Sequence, residues 1–258
     1  MKPNRGKQVL AEGKVPVGHM IGEFGTRGIA QILDTTDLDF VVIDTEHAAF
    51  TPAQLADLFS WFKVSTIAPY VRIPQIEYHF IARALDLGAL GIMVPNVKTE
   101  AQAKAIIKAA KYAPLGDRGC IFGNTQTDFK PVSPPEFMAY ANQNTTIICQ
   151  IESVEGMNNI EAIAQTPGVD ILWVGHFDLT NSMGIPGDFA DKRFLDAMHR
   201  VVEVCRKYGL GAGIQPANLD QAQEWMEIGY NVISYSMDSA VYAGAMRQGV
   251  ADIRKLAA

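Results

Sequence analysis

Residues 147–181 read IICQIESVEGMNNIEAIAQTPGVDILWVGHFDLTN and hold two short apolar runs, each ending in an acid. Ile147-Ile148-Cys149-Gln150-Ile151 leads straight into Glu152, and Ile171-Leu172-Trp173-Val174 leads through Gly175-His176-Phe177 to Asp178. Between the runs, residues 158–165 carry helical spacing that Pro167-Gly168 breaks. This pattern describes a strand–helix–strand unit with both carboxylates just beyond the carboxyl ends of parallel strands, where α/β folds place their chemistry. A hard cation such as Mg²⁺ takes one or two protein carboxylates and keeps its other positions for water and substrate oxygens. Glu152 and Asp178 fit that description. They fit equally a second one, in which each caps the helix that follows it.

The same rhythm continues outward in both directions. Further apolar runs lie at 15–21, 40–43, 68–73, 90–94, 210–215 and 232–235, with helical segments at 28–33, after Thr51-Pro52, and at 78–86, 98–111 and 220–228. A longer irregular stretch occupies 113–135, and an apolar helix of roughly 15–20 residues follows from Ser239. Eight strands with intervening helices predict an α/β chain folded as a (β/α)8 TIM barrel, one domain over residues 1–258. No G-x-G-x-x-G follows any strand, so an open dinucleotide-binding sheet loses support.

Composition narrows the function classes. Net charge is −6, with 22 Lys+Arg against 28 Asp+Glu and no basic cluster, which speaks against nucleic acid as a partner. No apolar run is long enough for a membrane span, and the opening residues lack a signal-peptide core. Cys120, Cys149 and Cys205 are odd in number and widely spaced, so no disulfide or zinc framework is expected and the protein reads as cytoplasmic.

In a barrel, residues just past each strand face one mouth. Here they are Asp44, Glu46, His47, Arg72, Pro95, Gln150, Glu152, Asp178 and Gln215. Such a set suits stabilisation of an oxyanion, with Arg72 able to grip a carboxylate and His47 able to move a proton near neutrality. Each also has a plainer reading. Arg72 can be a structural ion-pair partner of Asp44, His47 a turn residue, and Gly116-Asp117-Arg118-Gly119 a simple turn instead of a phosphate nest.

A run of ordered motifs resembles the HpcH/HpaI aldolase family. They are Val41-Val42-Ile43-Asp44-Thr45-Glu46-His47-Ala48, Val71-Arg72-Ile73-Pro74, Leu85-Asp86-Leu87-Gly88-Ala89, Tyr112-Ala113-Pro114-Leu115-Gly116-Asp117-Arg118-Gly119, Gln150-Ile151-Glu152 and Val174-Gly175-His176-Phe177-Asp178-Leu179. The resemblance implies a metal-dependent class II pyruvate aldolase, a carbon–carbon lyase that cleaves a 4-hydroxy-2-oxo acid to pyruvate and a small aldehyde through a metal-stabilised enolate. It implies Glu152 and Asp178 as ligands of a divalent metal cation (Mg²⁺, Mn²⁺ or Co²⁺), and Arg72 beside the ketone oxygen. Gln150, Gly175, His176 and Phe177 would contact substrate. His47, held by Asp44, would relay the proton, and Asp86 would reach the site of an adjacent subunit. It further implies a homo-oligomer, trimer or hexamer, with the C-terminal helix packed on a neighbouring subunit. The family usually has Gly-Pro-x-Asp-Leu where this chain has Gly175-His176-Phe177-Asp178-Leu179, so His176 is a departure.

Three rivals remain at this stage. A Schiff-base aldolase needs a lysine at a strand end, and Lys98 alone is placed for it. A citryl- or malyl-CoA lyase of the same superfamily would carry extra C-terminal sequence and nucleotide contacts. A barrel without activity, serving as a binding subunit, would have little reason to keep the whole polar set.

Overall fold

Short β-branched and aromatic runs such as Phe40-Val41-Val42-Ile43, apolar on both faces, belong in a sheet covered on both sides. In the computed structural model, which describes residues 1–257, eight such runs form a closed parallel barrel. The strands are β1 Val17–Ile21, β2 Phe40–Asp44, β3 Ala68–Arg72, β4 Gly91–Val94, β5 Thr146–Ile151, β6 Ile171–Val174, β7 Gly211–Ile214 and β8 Val232–Met237. Each pairs with the next, and β8 pairs with β1 through a register shift between Gly18 and Met20.

Helices surround the barrel: α1 Arg5–Ala11, α2 Gly28–Asp34, α3 Pro52–Phe62, α4 Tyr78–Leu87, α5 Glu100–Ala110, α6 Pro134–Asn144, α7 Val154–Asn158, α8 Ile160–Ala164, α9 His176–Ser182, α10 Lys192–Tyr208, α11 Leu219–Ile228 and α12 Asp238–Leu256. Capping boxes start α3 (Thr51 with Gln54) and α5 (Thr99 with Gln102), satisfying amide groups that the helices cannot. Outward strand residues and inward helix faces build one continuous core, which includes Ile43, Phe59, Ile92, Cys149, Leu172 and Val201.

A separate cluster fills the barrel interior: Met20, Phe40, Val42, Tyr70, Met93, Ile148 and Trp173 among others. Three of its rings owe their room to glycine on the neighbouring strand. Phe40 is paired across from Gly18, Tyr70 from Gly91 and Trp173 from Gly213. A Cβ on Gly91 would approach Tyr70 Cδ1 to 2.5 Å, and one on Gly18 or Gly213 would overlap the facing ring outright. The end of the barrel opposite the strand termini is closed by α1. Asn4, fully buried, donates to the carbonyls of Leu90 and Asn144 at 2.9 Å and accepts from the Tyr70 hydroxyl at 2.7 Å.

Several expectations shift. The helix expected over 158–165 is two short helices, broken at Asn159, whose side-chain amide donates to the Lys98 carbonyl at 2.8 Å. The irregular 113–135 stretch ends in α6, started by Pro134-Pro135. The strand–helix rhythm has no place for α1, α9 or the 17-residue α10, although Phe194, Ala197, Met198, Val201, Val202 and Cys205 give α10 clear helical spacing. Gly116 makes a plain turn, not an anion nest. It packs against the carbonyls of Ile107, Lys108 and Lys111 at the end of α5, and oxygens repel an anion.

The glycine–ring pairs predict a local cost. Gly213→Ala is expected to lower stability by about 1–3 kcal/mol through overpacking against Trp173. Urea denaturation reads this as a lower midpoint at unchanged slope, and an unchanged midpoint would mean that the ring moves freely.

Candidate active site

Alternation along a strand sends every second side chain inward. In β2 this series is Phe40, Val42, Asp44; in β3 it is Ala68, Tyr70, Arg72; in β5 it is Ile148, Gln150 and, one step beyond, Glu152. Apolar residues therefore fill the lower barrel, and polar ones emerge at the carboxyl ends. The mouth there holds a cavity of about 400 Å³ lined by His47, Arg72, Gln150, Gly175, Asp178 and Gln215 among others.

Arg72 and Asp44 form a bidentate pair, with Nε to Oδ1 at 2.8 Å and Nη2 to Oδ2 at 2.7 Å. The third guanidinium nitrogen, Nη1, lies 3.3 Å from Glu46 Oε2. Burial pushes the Asp44 carboxyl up, but Arg72 outweighs it and holds the group below its ordinary range. Burial also raises Glu46, with Arg72 offsetting only part of the effect.

Glu152 is buried. Its Oε1 accepts from the Asn96 amide at 2.6 Å, and its Oε2 accepts from the Gln150 side chain. Asn96 reaches this position through a left-handed backbone, φ 54°. The acid does not cap the next helix; that role falls to Ser153, whose hydroxyl accepts from the Gly156 amide. Asp178 sits in the first turn of α9 and faces the cavity. Gly175 lies directly against Glu152 and Gln150. A Cβ there would overlap Glu152 Oε2 and come within 2.7 Å of Gln150 Nε2, so only glycine lets the strand pass.

Burial, aided by the charges of Glu46 and Asp178, pushes Glu152 up to about 7, against the pull of Asn96 and Arg72. The mouth thus gathers more negative charge than Arg72 neutralises. Among the described residues no three His, Cys, Asp or Glu side chains converge as a metal site. Asp178 opening on the cavity, with Glu152 buried beside the lining residues Gln150 and Gly175, is nonetheless a donor set that suits a hard cation with open positions.

The remaining predicted residues divide. His47 lines the mouth but is largely exposed, and its nearest carboxylate is Glu46, at 3.8 Å. Asp44 does not hold His47, because Arg72 and the Glu46 amide occupy its oxygens. Asp86 is not brought into this mouth; it pairs with Arg118 at 2.6 Å on the outside of the barrel. His176 packs among rings, 5.1 Å from Trp225 and 5.2 Å from Phe189, and burial lowers its pKa to about 4, with Asp178 opposing weakly. Lys98 is absent from the cavity lining.

The sequence reading missed Met20, Met93, Trp173, Pro216, Ser236 and Met237, which also line the mouth. The period-2 series carries a signal for Met20, Met93 and Trp173. For Ser236 it carries none, since its left-handed backbone, φ 55°, is set by how β8 meets α12.

Residues 26–245 match the family model described as HpcH/HpaI aldolase/citrate lyase. The chain belongs to this family. A 5-keto-4-deoxy-D-glucarate aldolase of Klebsiella pneumoniae is 32% identical over 246 residues, covering 95% of each chain. The crystal structure of an HpcH/HpaI aldolase from Desulfitobacterium hafniense is 32% identical, with TM-score 0.92 and 96% of each chain covered. The citrate synthase SbnG is 28% identical, with TM-score 0.87, covering 97% of this chain and 98% of that one. The HpcH/HpaI member described here is accordingly an aldolase-type lyase on a (β/α)8 barrel.

Because Arg72 is nearly buried, its partner matters to folding. Asp44→Ala is expected to cost about 3–5 kcal/mol by leaving the guanidinium uncompensated, read from chemical denaturation. A cost near zero would mean that Glu46 takes over the pairing.

Proposed function

We propose that this mouth binds the 2-oxo-acid end of a 4-hydroxy-2-oxo acid and reversibly cleaves it to pyruvate and an aldehyde. The observation that carries the reading is the charge balance: Glu46 and Glu152 each feel the other's charge and that of Asp178, and the single guanidinium among them is already shared by Asp44 and Glu46. Glu152 and Asp178 would hold a divalent cation, Mg²⁺, Mn²⁺ or Co²⁺. When bound, such a cation supplies Lewis acidity to the carboxylate and ketone oxygens of the oxo acid.

The chain's own residues supply the rest. Arg72, fixed in direction by Asp44, presents positive charge where the ketone oxygen gains electron density. Gln150 has one amide N–H committed to Glu152 and a second free to meet the oxo acid. In the condensing direction the pyruvate methyl group loses a proton. Its carbon bonds to the aldehyde carbon, and the carbonyl electron pair moves to oxygen, which takes up a proton. His47, beside Glu46 and open to water, is placed to carry that proton. Water exclusion falls to the Met and Trp side chains beneath the mouth.

The reading extends to the whole molecule as one domain acting in the cytoplasm; no helix of the described residues is long and apolar enough to cross a membrane. Val241, Tyr242, Met246, Val250 and Ile253 form an exposed apolar stripe along α12, which supports a homo-oligomer, trimer or hexamer, built through that helix. Sedimentation equilibrium measures its size, and a monomer would remove this part of the reading.

The experiment for the reaction is pyruvate release from a simple 4-hydroxy-2-oxo acid by protein stripped with EDTA, with Mn²⁺ then returned across a pH series. Activity is expected to vanish on stripping, to return with Mn²⁺ and to be absent from Glu152→Ala. Glu152 must shed its proton to bind a cation, so the Mn²⁺ affinity is expected to fall by about tenfold per pH unit below pH ~7 and to level off above it. Activity that survives EDTA and is lost to borohydride in the presence of pyruvate would point to a lysine instead.

A further inference from the structure

Asp44, Glu46 and Glu152 come from the β2 and β5 part of the mouth. Asp178 apart, the side formed by α9 and the ends of β7 and β8 is different in kind. Phe177, Pro216, Ala217, Met237 and Ala240 line it, and none can carry charge. Phe177 is 63% exposed at the rim of the site and adjoins the other apolar lining residues. It is also propped from behind. Its ring meets Phe189 edge-on at 5.2 Å and His176 at 4.7 Å, while Phe189 and His176 rest on Trp225. An aromatic wall supported in this way costs little entropy to hold in place and offers apolar area to whatever arrives beside Asp178. His176 belongs to the wall as a ring packed behind Phe177.

Charge on this side is equally telling. Three residues lining the cavity carry a nitrogen that can be cationic: Arg72 and His47 lie among Asp44 and Glu46 across the mouth, and the ring of His176 is packed against Phe177, Phe189 and Trp225. A second substrate carboxylate would have to leave water against carbon, with no lysine or arginine beside it. By chemistry, 5-keto-4-deoxy-D-glucarate, the compound in the Klebsiella relative's name, is a diacid. Removing pyruvate from it leaves an aldehyde that still carries a carboxylate, and this wall offers it no lysine or arginine.

We propose that Phe177 and Met237 select the aldehyde partner, and that it is an uncharged aldehyde with an apolar branched or aromatic substituent. This rests on the pyruvate chemistry proposed above, so the test separates the two. Exchange of the pyruvate methyl protons in D₂O with Mn²⁺, followed by NMR, reads the pyruvate half alone. Condensation of pyruvate with isobutyraldehyde and with succinic semialdehyde, each as kcat/KM, reads the aldehyde half.

Wild-type protein is expected to show exchange and to favour isobutyraldehyde by at least about tenfold, a size typical of apolar-pocket discrimination. Phe177→Ala is expected to cut that preference by about tenfold, mainly through KM for isobutyraldehyde. If exchange is lost in this variant, the loop carrying Asp178 has moved, and Met237→Ala across the wall gives the same readout. Exchange with equal or greater use of succinic semialdehyde overturns the aldehyde assignment and leaves the pyruvate chemistry standing. An unchanged preference in a variant that still exchanges overturns the role of the wall, as would be found if a second copy of the chain covers Phe177. No exchange in wild-type protein overturns both.

Discussion

Negative charge that the protein does not itself neutralise is the constraint around which this mouth is arranged. Four carboxylates, Asp44, Glu46, Glu152 and Asp178, stand around one mouth at the ends of β2 and β5 and the start of α9, and Arg72 answers them with one guanidinium. Isolated buried carboxylates are too costly to keep ionised, and burial accordingly pushes Glu152 up to about 7. The surrounding structure maintains this tension. Gly175 removes the side chain that would push Glu152 away, and Asn96 takes a left-handed backbone to donate its amide to it. A site built at such cost makes physical sense when a cation from solution completes it.

Much of this was legible in the residues. The order of strands and the inward series ending in Asp44, Arg72, Gln150 and Glu152 follow from a period of two, which chain chemistry enforces. Residues beyond the strands were harder to place. Whether Asp44 holds His47 or Arg72 depends on the turn after β2, and a guanidinium two hydrogen bonds deep outcompetes an exposed imidazole. Asp86 sits at the outer end of α4, where its pairing with Arg118 depends on a loop with no regular pattern. Helix α10 has clear apolar spacing in the sequence, yet it was obscured by α9, a helix added after β6 that the simple strand–helix rhythm does not contain.

Family membership and individual character lie on different sides of one opening. The acids and Arg72 come from β2, β3, β5 and the start of α9, and they are the residues quoted in the shared motifs. The apolar side comes from β7, β8 and the exposed face of α9, which those motifs reach only at His176 and Phe177. His176 stands at the seam. Where proline would stiffen the loop through its own ring, His176 does so by packing with Phe189 and Trp225.

The pairing of Phe40, Tyr70 and Trp173 with Gly18, Gly91 and Gly213 has an evolutionary side. Neither member of a pair can change alone without penalty. Trimming a ring first opens a void at about 3–5 kcal/mol, whereas enlarging the glycine first overpacks at about 1–3 kcal/mol. A domain stable by about 5–15 kcal/mol can survive one such detour but hardly two at once. The three pairs should therefore drift one at a time along a lineage, each exchange finished before the next begins, so that the barrel interior records its history as discrete, separately dated swaps.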